Sequence, residues 1–162
     1  MDRLIKDLKE VYKSVYYKSK HYGVDIVDED LYHWKIRMFK MDSDSKLATA
    51  LNILSQAFEK KVIVELEFRF DSNYPFSPPF IRILGPHIRD GYVTEGGGLC
   101  MKLLTKQGWS PAYSIESLII QIYATLVYGQ AQAVNANSPS YTLDNARRGF
   151  QDAANLHQQY GW

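Results

Sequence analysis

The stretch Val62-Ile63-Val64-Glu65-Leu66-Glu67-Phe68-Arg69-Phe70-Asp71-Ser72-Asn73-Tyr74-Pro75-Phe76-Ser77-Pro78-Pro79-Phe80-Ile81-Arg82-Ile83-Leu84 carries the pattern on which the fold turns. Val64, Leu66, Phe68 and Phe70 alternate with Glu65, Glu67 and Arg69. A period of two is that of a strand with one buried face, so the apolar set is expected inward and the charged set outward. Tyr74 to Pro79 breaks the pattern, because proline has no N–H to give a ladder. Phe80 to Leu84 resumes it as another strand. Upstream, Trp34, Ile36 and Met38 alternate with Lys35 and Arg37 in the same way. Three strands in chain order with turn residues between them predict an antiparallel meander.

The flanking segments have helical periods. Leu4, Leu8, Val11, Tyr12 and Val15 recur at three- and four-residue steps, with Arg3, Lys6, Lys9, Lys13 and Lys20 around them. That basic surface is either a solvated face or a docking face for acidic partners. Leu47, Leu51, Leu54 and Phe58 form a stripe on a short helix over 46–58, inserted between two strands. Ser114 can cap a helix that runs to about Tyr128 and is apolar on most sides. Asn135 to Pro139 reads as a loop, and Thr142 can cap a last helix carrying Ala146, Phe150, Ala153 and Ala154 on one face. The class is α+β: an N-terminal helix, a meander, a long glycine-rich loop over 85–98, and C-terminal helices.

Composition narrows the function. The 162 residues suit one domain spanning 1–162. Nineteen basic against 18 acidic side chains give a net charge of +1, with no overall pull toward nucleic acid or an anionic membrane. Cys100 is the sole cysteine, so neither an internal disulfide nor a two-cysteine zinc site can form. His21, His33, His87 and His157 show no paired metal-ligand spacing, and no metal is expected. The apolar run 118–127 is too short to span a bilayer, and the N-terminus is charged where a signal peptide needs an apolar stretch. A reducing intracellular setting, cytoplasmic or nuclear, is the expectation. The chain opens directly on a helical pattern, which fits a fragment lacking an N-terminal extension.

Gly96-Gly97-Gly98 lacks the Gly-Lys-Ser/Thr of a phosphate loop. It reads as a tight turn, and as backbone that leaves room for a substrate beside Cys100. Cys100 itself is either an inert buried residue or a nucleophile, since a thiolate attacks acyl groups well and leaves well from a thioester. Residue pattern alone goes no further, and it keeps open a cysteine hydrolase with His87 as base.

Four fragments in register carry a resemblance over nearly the whole chain. Tyr74-Pro75-Phe76-Ser77-Pro78-Pro79 resembles the YPFxPP loop of ubiquitin-conjugating enzymes. Leu99-Cys100-Met101 followed by Leu103-Leu104 is similar to their active-site stretch, Trp109-Ser110-Pro111-Ala112 to their WSPA loop, and Asn137-Ser138-Pro139 to the segment before their last helices. The triple glycine, Leu103 to Trp109, and Gly161-Trp162 resemble the Q-type branch.

The resemblance implies the fold of that family and a thioester chemistry on Cys100. Ubiquitin would arrive from a ubiquitin-activating enzyme, which alone uses ATP, so this chain would need no cofactor. It would leave to a protein substrate or to a RING- or HECT-type ligase. Phe76, Ser110, Pro111 and Ala112, with Arg3, Lys6 and Lys9, match the ligase-docking face. Their other reading is structural: Phe76 as core, Pro111 as the start of a helix. Ile120 matches the position facing donor ubiquitin, or is simply buried. Two family features are missing. The position of the catalytic Asn, eight before the cysteine, holds Tyr92, and the acidic gate position holds Ser138. His87 lies three positions away from where the family's histidine belongs. Slow discharge onto lysine is therefore expected. A catalytically weak or inactive binding module of the same fold, and a conjugating enzyme for another ubiquitin-like modifier, are the alternatives.

Overall fold

The computed structural model describes residues 1–161; Trp162, half of the Gly161-Trp162 resemblance, lies outside them. The meander is present and has one strand more than the alternation predicts. β1 (Tyr22–Ile26), β2 (His33–Met38), β3 (Val64–Arg69) and β4 (Phe80–Gly85) pair antiparallel in chain order. Trp34 faces Phe68, and Ile36 faces Leu66, across β2 and β3. These side chains, with Ile81 and Ile83, are almost wholly buried. They share one core with Ile115, Leu118, Ile119, Ile122 and Leu126 of α4 (Ile115–Tyr128). Ser114 caps α4 by accepting from the Ser117 N–H at 3.1 Å, and Thr142 caps α5 (Leu143–Tyr160) through the Asn145 N–H at 3.2 Å. No helix among the described residues is long and apolar enough to cross a membrane.

The N-terminal helix departs from its expected stripe. It divides at Ser14 into α1 (Asp2–Lys13) and α2 (Val15–Lys18), and the Ser14 hydroxyl accepts from the Tyr16 N–H at 3.1 Å. Beyond the break the period restarts, so Tyr12 is 41% and Val15 75% exposed. The buried face of α1 is Leu4, Asp7 and Val11. The inserted helix α3 (Lys46–Ala57) buries Leu47 and Leu51, but Phe58 lies just past its end and is exposed. Within the expected irregular region a second small sheet forms from β5 (His87–Arg89) and β6 (Gln132–Asn135). A three-residue strand has too little alternation to be read locally. On the far face of the meander, Glu67 is buried, against its expected outward exposure, because Arg82 of β4, Arg69 and His33 surround it.

Candidate active site and docking face

Backbone hydrogen bonds fix the cysteine. The Cys100 N–H donates to the Tyr92 carbonyl at 2.8 Å, and Thr94 N–H to the Gly98 carbonyl at 2.8 Å, closing a tight reversal over 92–100. From the other side, the Ile83 N–H donates to the Gly97 carbonyl at 2.7 Å, and Arg82 bridges Gly98. The segment entering Cys100 is thus tied to β4. A single turn, Lys102–Leu104, follows the cysteine. Cys100 is half-buried and its thiol pKa is pushed up by that burial. No ion pair or hydrogen bond holds its Sγ among the described residues, so nothing there stabilises a thiolate.

The triple glycine is packed against helix backbone, which corrects the expectation of room beside the thiol. A Cβ on Gly96 would run into the Asn145 carbonyl group, and one on Gly98 would lie 2.7 Å from the Ala146 oxygen. Gly97 has φ +92, and its missing Cβ makes way for the Tyr141 ring. These residues let the first turn of α5 rest directly on the cysteine's approach.

Two of the proposed site residues, 51 positions apart, touch each other. His87 Nδ1 and Ser138 Oγ are 2.9 Å apart, and the imidazole stacks on Tyr141 at 4.9 Å. Tyr141 donates its hydroxyl hydrogen to the Ile88 carbonyl and accepts from the Ile88 N–H. Its own carbonyl accepts from Arg82, whose Nε is paired with Glu67. Burial raises the Glu67 pKa, but the hydrogen bonds from Arg69, Arg82 and His33 outweigh it and hold the carboxyl below its ordinary range. His87 therefore has partners other than the cysteine, and the Cys/His hydrolase pairing is not formed. Tyr92, at the position of the family's Asn, is 63% exposed with φ +62; its carbonyl, not its hydroxyl, holds Cys100.

The expected docking residues lie on three segments drawn together at one end. Phe76 is 73% exposed, so it is not core. Pro111 and Ala112 are exposed and Ser110 is half-buried. Lys6 and Lys9 are exposed on α1. Arg3 is committed elsewhere: its guanidinium donates to the Pro111 and Tyr113 carbonyls at 2.7 Å each, and its Nε pairs with Asp7 at 3.0 Å. The Trp109 indole N–H donates to the Pro75 carbonyl at 2.7 Å, joining the two proline loops. Ile120, at 38%, is open to solvent. Sequence reasoning missed Asp7, Arg82 and Tyr141. The signal for Asp7 was available: a carboxylate in the stripe of Leu4 and Val11, four residues from an arginine.

Comparison with known proteins points one way. The family described as Ubiquitin-conjugating enzyme matches residues 3–158. The chain is 44% identical over 162 residues to Ubiquitin-conjugating enzyme E2 Q1 of Homo sapiens, with 99% of this chain and 38% of that protein covered. It is 34% identical over 158 residues to a shorter, Q-like ubiquitin-conjugating enzyme of Homo sapiens, covering 96% of this chain and 95% of that one. The chain thus spans little more than a third of the E2 Q1 relative. Among solved structures, a ubiquitin-conjugating enzyme E2 from Plasmodium falciparum superposes with a TM-score of 0.60 at 19% identity, over 77% of this chain and 81% of that chain. Human Ubiquitin-conjugating enzyme E2 G1 gives 0.58 at 19% identity, over 76% and 90%. At that identity the structures speak for the fold.

Proposed function

The chain belongs to the ubiquitin-conjugating enzyme family, with its similarity on the Q-type side, and from that premise we propose that it carries ubiquitin as a thioester on Cys100. The observation that carries the reading is the placement of the sole cysteine, half-exposed at the end of a backbone-pinned reversal. The Cys100 thiolate attacks the carbonyl carbon of ubiquitin's thioester on the activating enzyme, whose thiolate leaves. An acceptor amine then attacks the Cys100 thioester, the Cys100 thiolate leaves, and the amine's extra proton passes to water. The raised thiol pKa suits this exchange: a basic thiolate is a strong nucleophile toward a thioester already activated elsewhere. ATP acts only on the activating enzyme, and this chain needs no cofactor of its own.

Phe76 and Pro111 form the ligase contact, with Lys6 and Lys9 beside them. An exposed aromatic on a proline-braced loop has the character of a binding hot spot. Ile120 faces donor ubiquitin. Ser138 offers an incoming lysine a hydrogen bond without a carboxylate's charge, and no Asn side chain stands ready for the oxyanion. Discharge onto free lysine is accordingly slow.

A non-reducing gel after incubation with activating enzyme, ATP and ubiquitin tests the reading. The expected band is sensitive to reductant and absent in Cys100→Ala. A band with another modifier and none with ubiquitin transfers the function to that modifier. No band with any modifier leaves a binding module.

A further inference from the structure

We propose that His87 is a positioning residue that sets the direction of the Ser138 hydroxyl, with Tyr141 holding the pair against the cysteine segment. The inference rests on the thioester reading of Cys100. Ser138 and Tyr141 close one turn, since the Tyr141 N–H donates to the Ser138 carbonyl at 2.9 Å. The Tyr141 ring lies over Gly97, three residues before Cys100, and its hydroxyl is bound at both ends of the Ile88 peptide group. The turn, β5 and the cysteine's approach are therefore one fastened unit. Within it, His87 reaches Ser138 at 2.9 Å and is itself held flat on the Tyr141 ring.

A serine hydroxyl with no partner rotates among staggered positions. A neutral imidazole protonated at Nε2 presents the Nδ1 lone pair, and Ser138 donates its proton to it. Both Oγ lone pairs are then free to accept the N–H of an arriving amine. The amine's lone pair stays aimed at the thioester carbon; it forms the C–N bond while the C–S pair returns to Cys100 Sγ, and the surplus proton goes to water. No proton is transferred to Ser138 or His87, so both act by orientation alone.

The test measures discharge of the preformed Cys100–ubiquitin thioester onto free lysine in single turnover, alongside loading from the activating enzyme. His87→Ala and Ser138→Ala should each slow discharge about three- to tenfold, the scale of one hydrogen bond. The double variant should be no slower than either single one, because both remove the same interaction. His87→Asn, which sets an amide oxygen close to where Nδ1 stood, should restore discharge to within about twofold. Loading and melting temperature should stay close to those of the unsubstituted chain. Additive losses, unchanged discharge, failure of Asn to restore, or loading that falls in step with discharge each overturn the inference while the thioester reading stands. Failure of the unsubstituted chain to load overturns that reading, and this inference with it.

Discussion

The Tyr74 hydroxyl donates to Asp7 Oδ2 across 2.6 Å, joining the first helix to a loop 67 residues away. Asp7 also receives Arg3 Nε, and Arg3 continues to the Pro111 and Tyr113 carbonyls. Burial, and then the hydrogen bond and charge of Asp7, push the Tyr74 phenol far above its ordinary pKa, so it remains a donor at every working pH. Asp7→Ala leaves a buried hydroxyl and a half-buried guanidinium without their acceptor. The expected loss of unfolding free energy is about 2–4 kcal/mol, read by urea denaturation. A loss under about 0.5 kcal/mol, the size of an ordinary surface change, shows that the junction does not hold these segments.

Phe76 gives the opposite profile. It stands on the loop that Trp109 and Tyr74 anchor, yet its own ring is in solvent. Phe76→Ala is expected to change stability by no more than about 0.5 kcal/mol. Calorimetry against a RING or HECT domain that binds the chain should show about 2 kcal/mol or more of lost affinity, as for a buried aromatic anchor. Equal binding by the variant removes Phe76 from the docking face.

The Cys100 thiol is raised by burial with no compensating cation. Its alkylation by iodoacetamide should be slow near neutrality and climb with pH through a midpoint above that of the same thiol in the urea-unfolded chain. Comparing the two pH profiles by mass spectrometry decides it. A midpoint at or below that of the unfolded chain means that a charge or dipole stabilises the thiolate.

Glu67 supplies an acid-side test. Its folded pKa is held below the ordinary carboxylate value, so its stabilisation is complete above that value and disappears as pH falls through the depressed folded one. Glu67→Gln also leaves Arg82 buried without its counter-charge, and about 3 kcal/mol should be lost at neutral pH. The gap between variant and unsubstituted chain should narrow in strongly acidic solution. A gap independent of pH excludes the carboxylate charge as its source.

The glycine run offers a steric contrast. Gly96→Ala places a methyl group against the Asn145 backbone, while Gly85→Ala meets nothing nearer than 3.9 Å. The first should cost about 1–3 kcal/mol through overpacking, and the second much less. Thermal melts of both variants compare them directly. Equal effects show that the first turn of α5 yields to the methyl group.

What the chain determined unaided was local. Alternation at Trp34–Met38 and Val64–Phe70 reports a half-buried pleat, and Ser114 and Thr142 can satisfy free N–H groups at their own helix starts. Cys100, Phe76 and Pro111 were legible because their motifs are contiguous. Tertiary structure decided the rest, since those features depend on partners far along the chain. Asp7 is buried because Tyr74 and Arg3 meet it, and Glu67 because Arg82 lies on the next strand. The three glycines serve packing because α5 returns to lie on them. His87 and Ser138 were both visible as residues, but their contact across 51 positions exists only once β5, β6 and the turn before α5 are assembled. Periodicity records which face of an element is apolar; it carries no record of which distant group will satisfy a buried charge or hydroxyl.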